Sequence, residues 1–197
     1  MTKTIIGLLR HGQTDWNIDF RLQGVTDIPL NETGIAQARD AAQVINSEDW
    51  DLVLTSPLSR ARDTAKIVAD QNRLGHAQIE DLLLERSFGE AEGLSHEEWR
   101  SKYADTNVVP GGESLPDLEA RAKKLLDELV SKHAGKRVLA VSHGALIRVL
   151  LRIVSRGEFP REGERLGNAC LSIFVYENGE WDVLSYEPRT LHPDLSR

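Results

Sequence analysis

The sequence predicts an α/β fold, a largely parallel sheet covered by helices on both faces. Three observations predict it. Short bounded apolar runs alternate with segments of helical period along most of the chain. Two of those runs, Ile5-Ile6-Gly7-Leu8-Leu9 and Val138-Leu139-Ala140-Val141, are continuous rather than alternating, as strands buried on both faces of a parallel sheet are. Near the end, Asn178-Gly179 separates two β-rich runs and reads as a hairpin turn, so an antiparallel pair completes the sheet.

The elements follow in order. A strand over 4–9 opens the chain, followed by a loop. A helix over 33–47 carries Ile35, Ala38, Ala42 and Ile45 at helical spacing, with Asn31 or Thr33 as its cap. Leu52-Val53-Leu54 mark a strand over 51–55, and a helix over 58–73 follows. A third strand is expected over 78–83, then an irregular segment over 85–113. The stripe Leu118, Ala122, Leu125, Leu126 and Leu129 predicts a helix over 115–133. Strand 137–142, helix 144–156, strands 169–176 and 180–186, and a tail complete the order.

The chain has 197 residues, which favours one domain over 1–197. Its formal charge of -7 argues against nucleic acid as a partner, because that binding rests on clustered Lys and Arg. The single cysteine, Cys170, allows no intrachain disulfide and suits a reducing cytoplasm. No apolar stretch approaches the roughly 18 residues needed to span a bilayer, so no membrane partner is expected. The first strand begins at once, leaving no room for a signal peptide.

In open α/β sheets ligands bind outside the carboxyl ends of the strands. Four segments fall there: Arg10-His11-Gly12, Thr55-Ser56-Pro57-Leu58-Ser59-Arg60, Glu85-Arg86 and Ser142-His143-Gly144. Two histidines distant in sequence thus converge, with arginine beside them. Guanidinium forks suit a phosphate because they donate two parallel hydrogen bonds and stay charged. The glycines let backbone approach a ligand, and the helix N-termini that follow favour an anion. A neutral imidazole is a competent nucleophile toward phosphorus. Arg10 and Arg60 are candidates to stabilise the transferring phosphoryl oxygens, and Glu85 to protonate the leaving alkoxide.

Blander readings compete. A single histidine at a strand end is more often structural, and acidic residues there are usually solvated. A metal site from His11, His143 and Glu85 is disfavoured by the repulsion of Arg10 and Arg60, so neither metal nor cofactor is expected. Ser142 and His143 cannot form a hydrolase pair, since neighbours on a strand point to opposite faces. His76, His96, His133 and His192 are assigned to the surface, and Trp99 and Tyr103 to packing.

These residues carry a resemblance. Arg10-His11-Gly12-Gln13-Thr14-Asp15-Trp16-Asn17 resembles the RHG(E/Q)TxxN signature of the histidine phosphatase superfamily, in its phosphoglycerate-mutase-like branch. Gln23-Gly24 with Asp27-Ile28-Pro29-Leu30, the run Ser56-Pro57-Leu58-Ser59-Arg60-Ala61, Glu85 through Gly93, Pro110-Gly111-Gly112-Glu113-Ser114, and Ser142-His143-Gly144 with Arg148 match further family segments in order. The resemblance covers about residues 4–186. It implies a three-layer fold around a six-stranded, mostly parallel sheet. It implies His11 as the phosphorylated nucleophile, a phosphate pocket of Arg10, Arg60 and His143, and Glu85 as proton donor. Asn17 and Gln23 match positions on the substrate side. Arg62 competes with Arg60 for the second-arginine role, but the arginine before Ala is Arg60. The chain is shorter than the family's cofactor-dependent mutases, which favours hydrolysis of a small phosphorylated metabolite. A phosphoglycerate mutase and a non-catalytic phospholigand-binding module are the alternatives. Segments 15–28 and 86–113 carry no readable substrate signature, and the oligomeric state is open, a homodimer among the options.

Overall fold

The computed structural model describes residues 3–103, 109–186 and the backbone of 189–190. In chain order the elements are β1 (Thr4–Arg10), α1 (Asp15–Ile18), α2 (Glu32–Val44), β2 (Leu52–Thr55), α3 (Ser59–Asn72), β3 (Gln78–Ile79), α4 (His96–Tyr103), α5 (Leu115–Lys132), β4 (Arg137–Ser142), α6 (Gly144–Val154), β5 (Glu164–Arg165), β6 (Leu171–Glu177), β7 (Glu180–Tyr186) and β8 (Arg189–Thr190). Six strands form one sheet in the order β3-β2-β4-β1-β6-β7, and β5 pairs with β8 apart from it. Pairings β2–β3, β2–β4 and β1–β4 are parallel, whereas β6 runs antiparallel to both β1 and β7. Five of the six strands therefore point one way, as expected, and β6 alone is reversed.

Each central strand is apolar on both faces because each face carries a core. On one side, Ile6, Leu8, Val138 and Ala140 pack with Leu118, Leu125, Leu146 and Leu150 of α5 and α6. On the other, Leu9, Val53, Leu139 and Val141 meet Ala41, Ala42, Ala61, Ala65 and Val68 of α2 and α3. The alternation of 138 and 140 against 139 and 141 is the two-residue period of a strand. Gly7 interrupts β1 because a Cβ there would lie 2.3 Å from the Trp50 ring.

Several expectations hold closely. Asn31, not Thr33, caps α2, its side chain accepting from Gly34 N at 2.8 Å. All five residues of the α5 stripe are buried. The turn between β6 and β7 places Asn178 and Gly179 at φ of 56° and 87°, the left-handed pair that a two-residue hairpin of this hand requires.

Two expectations fail. The strand expected over 78–83 stops at Ile79. Glu80 then accepts from Leu82 N through its side chain at 3.2 Å and starts a 3-10 turn over Asp81–Leu83. The leucine run reflects burial of Leu83 in the core, not sheet pairing. The segment 85–113 is not wholly irregular either, because it contains α4. Ser95 and Glu98 cap α4 reciprocally, Ser95 N donating to Glu98 Oε2 at 2.7 Å and Glu98 N to Ser95 Oγ at 3.2 Å.

Candidate active site

The carboxyl ends of β1, β4 and β2 lie side by side, in register at Arg10–Ser142 and Thr55–Val141. The ladder extends one step past the strands, His11 N donating to Ser142 O and Ser56 N to Val141 O, both at 3.0 Å. That continuation brings His11 and His143 together, their ring centroids 5.1 Å apart.

Both histidines are buried. Burial, then the charges of Arg10 and Arg60, hold His11 well below the usual imidazole range, the Gly12 carbonyl opposing them. Burial also holds His143 low, aided by His11, Arg60 and Arg10. Both rings are thus neutral near pH 7. His11 Nδ1 lies 2.7 Å from Gly12 O. A carbonyl only accepts, so Nδ1 carries the hydrogen and Nε2 keeps its lone pair. His143 Nε2 lies 2.7 Å from Ser56 Oγ. When that hydroxyl donates to Nε2, the hydrogen of His143 sits on Nδ1. Gly12 has no alternative, since a Cβ there would sit 2.3 Å from Gly34 O.

The arginines are held by main-chain carbonyls. Arg10 Nη1 donates to Leu166 O. Arg60 is 0% exposed, its Nη1 donating to Thr26 O at 2.9 Å and its Nη2 to Gly24 O at 2.7 Å. Burial pulls both guanidinium groups down from their ordinary value while Glu85 opposes the shift, yet an arginine so placed remains charged. Arg62 is exposed, so α3 turns Arg60 inward and Arg62 to solvent. The loop beneath Arg60 hangs on Glu92. Its Oε1 accepts from Val25 N and Phe88 N, both at 3.0 Å, and its Oε2 from Thr26 N at 2.8 Å and from the Thr26 hydroxyl.

Glu85 reaches the site from the backbone beyond the 3-10 turn. Its Oε1 accepts from Arg86 N at 2.9 Å and Leu146 N at 3.2 Å, and its Oε2 from Ala145 N at 3.1 Å. The carboxylate therefore caps the N-terminus of α6, immediately after His143. Asn17 closes the capping box of α1 with Thr14 and accepts from Asn168 Nδ2 at 3.2 Å. The same Asn168 amide donates to His11 O at 3.1 Å. Gln23 is buried beside Gly24. The predicted site residues thus gather around the carboxyl ends of β1, β2 and β4, linked by the hydrogen bonds given above. Ser56, Glu92 and Asn168 join them without a role having been read for them. Ser142 Oγ turns away and donates to Leu83 O at 2.8 Å, as strand geometry requires. His76 and His96 are exposed, whereas His133 is half-buried at the end of α5, and His192 lies outside the described residues.

Among the described residues, six buried side-chain polar atoms have no hydrogen-bond partner, and four belong to this site: Arg10 Nε, Arg60 Nε, His143 Nδ1 and Gln23 Oε1. Each such atom costs on the order of 1–3 kcal/mol when nothing satisfies it. The three nitrogens, acting as donors beside His11, would be satisfied by the oxygens of a tetrahedral anion. The remaining two, Trp99 Nε1 and Tyr103 OH, lie on α4. No group of three or more metal-ligating side chains is placed to hold a cation among the described residues.

A family model described as the histidine phosphatase superfamily, branch 1, matches residues 6–188. An uncharacterized phosphatase PhoE of Bacillus subtilis is 40% identical over 183 residues, covering 93% of this chain and 94% of that protein. A 2,3-bisphosphoglycerate-dependent phosphoglycerate mutase 2 of Gloeobacter violaceus is 38% identical over 166 residues, 75% of this chain and 74% of its own. Among solved structures, the mycobacterial glucosyl-3-phosphoglycerate phosphatase in complex with VO3 superposes with a TM-score of 0.76 at 29% identity, covering 93% of this chain and 97% of that one.

Proposed function

Because this chain belongs to the histidine phosphatase superfamily, branch 1, we propose that this phosphatase hydrolyses a small phosphorylated metabolite through a phosphohistidine on His11. The observation that carries the reading is the set of unpartnered buried polar atoms around the two neutral imidazoles. In the first step the lone pair of His11 Nε2 forms a bond to phosphorus. The bond from phosphorus to the ester oxygen breaks, and that oxygen takes the proton of Glu85. In the second step water attacks the phosphohistidine and gives a proton to Glu85. The P–N bond breaks, its electron pair returns to Nε2, and inorganic phosphate leaves.

Arg10, Arg60 and His143 bind the three non-bridging oxygens throughout, where charge is greatest. Asn17 and Gln23 line the side from which the rest of the substrate enters. No step calls on a metal or an organic cofactor. The same reading treats 1–197 as one domain acting in the cytoplasm on a diffusible substrate, with nucleic acid no part of its work. Among the described residues no helix is long and apolar enough to cross a membrane.

The rival reading is a mutase, favoured by the Gloeobacter relative. One assay separates the two. The protein is incubated with 3-phosphoglycerate and with a panel of sugar and amino-acid phosphates, and both phosphate release and isomer formation are followed. Phosphate release without primer, passing through an acid-labile label on His11, is expected. Fast isomerisation dependent on a bisphosphoglycerate primer overturns it, and tight binding with neither product indicates a phospholigand-binding module.

A further inference from the structure

The backbone that delivers Glu85 belongs to no ladder of the main sheet, yet four successive carbonyls along it are tied down by side chains. Arg121 Nη1 donates to Leu82 O at 2.9 Å and to Leu84 O at 2.8 Å. Ser142 Oγ donates to Leu83 O at 2.8 Å, and Arg121 Nη2 to Glu85 O at 3.4 Å. The other edge of the same guanidinium grips Glu113, Nε on Oε1 at 2.8 Å and Nη2 on Oε2 at 2.7 Å. All five N–H bonds of Arg121 are thereby used. The ion pair is largely shielded, each side chain 18% exposed. Glu113 is fixed in turn, its N donating to Ser87 O at 2.8 Å and its O accepting from Arg86 Nε at 2.9 Å.

We propose that Arg121, braced by Glu113, is the positioning residue for the proton donor Glu85. The proposal rests on the reading of Glu85 as the leaving-group acid. A general acid must stand within hydrogen-bond reach of the oxygen it protonates, and a displacement of about 1 Å can cost on the order of 100-fold in rate. The carboxylate of Glu85 is fixed by the amides of Ala145 and Leu146, but its backbone has no strand partner to fix it. Arg121 supplies that second point of attachment.

A packing role alone does not explain this choice of residue. Arg121 falls on the apolar side of α5, three residues after Leu118 and four before Leu125, both buried. A hydrophobic residue of similar volume in place of a buried ion pair is often neutral or stabilising. What such a residue cannot do is bind four acceptor groups at once in fixed directions, and lysine, with three donors on one atom, cannot either.

The test uses p-nitrophenyl phosphate and phenyl phosphate, which share a ring but differ in how much their departing oxygen needs a proton. Arg121→Met, Arg121→Lys and Glu113→Gln are assayed alone and combined with Glu85→Gln. Arg121→Met should lose roughly tenfold more kcat/KM on phenyl phosphate than on the nitro ester, and should add less than about twofold to the loss in Glu85→Gln. Arg121→Lys should fail to rescue the phenyl phosphate rate. Equal losses on the two esters, or an undiminished loss in the Glu85→Gln background, would make Arg121 merely structural and overturn the proposal. If Glu85→Gln alone affects both esters equally, it is the reading of Glu85 as acid that fails, and the positioning role falls with it. Should Arg121→Met not fold by circular dichroism, Glu113→Gln carries the same comparison. It leaves the carbonyl bonds of Arg121 in place and should show a smaller preference of the same sign.

Discussion

His11 and His143 sit at the ends of paired strands, whereas Glu85 sits on backbone that no ladder of the main sheet holds. The histidines inherit their positions from β1 and β4, whose hydrogen bonds continue past the last strand residue. Glu85 depends on side chains from α5, β4 and the 113 region, and on the free amides of α6. The two designs fail differently. A strand end tolerates change at any single distant residue because many ladder bonds share the work. A loop tied mainly by one guanidinium depends on that guanidinium, so disturbance there should reach the proton transfers assigned to Glu85 and spare phosphate binding.

The largest test removes His11, the proposed nucleophile, from its strand end. His11→Ala should keep the fold and lose turnover by on the order of 10⁴-fold or more, read as kcat on p-nitrophenyl phosphate. Wild-type rates in that variant, or loss of wild-type activity with EDTA, would break the mechanism on its better-anchored side. Next comes Arg60→Lys, which keeps the charge but loses the fork held by Thr26 O and Gly24 O. A loss of about 2–4 kcal/mol in transition-state stabilisation is expected, in kcat as well as KM, with weaker vanadate inhibition in parallel. An effect confined to KM would make Arg60 a ground-state clamp.

Glu92 sharpens the comparison from the loop side, because it holds the turn on which Arg60 rests. Glu92→Gln should lower stability by about 2 kcal/mol in a denaturant titration, since charge-assisted bonds to several donors weaken together. Its kcat should fall less than that of Arg60→Lys. The smallest effect is the pH dependence of stability. Both histidines titrate lower in the folded chain than in the unfolded one. Below about pH 6.5 the unfolded chain therefore binds protons that the folded chain refuses, and stability falls as pH falls. Each contributes a slope of about 1.4 kcal/mol per pH unit there. His143→Gln should remove one such slope, measured by denaturant titrations between about pH 6 and pH 5. An unchanged slope would mean that His143 is protonated in the folded protein.

The same division decides what the sequence revealed. Arg10, His11, Ser142 and His143 follow apolar runs that only a buried strand explains, so their convergence was legible from spacing. Arg60 was separable from Arg62 through the family resemblance, which has its arginine before Ala, and α3 turns it inward. Glu85 was legible as a residue but not as a position, because Leu82-Leu83-Leu84 has the composition of a strand while Glu80 caps a turn that ends the pairing. Helix α4 carries a sequence signal in the Ser95–Glu98 capping box. Arg121 left one as well, a charged residue on the apolar stripe of α5. Asn168 left none, because its amide acts on a carbonyl and a side chain far away in sequence.

The pairing of β1 has a consequence for how the protein is made. Of the described strands β1 is synthesised first, yet its partners are β4 at residues 137–142 and β6 at 171–177. Until β4 is synthesised, the two-residue pairing of β2 with β3 is the only ladder of the main sheet available among the described residues. Contacts so distant along the chain form late, and the apolar β1 must wait unpaired. His11 is thus translated before the strands that surround it in the folded chain.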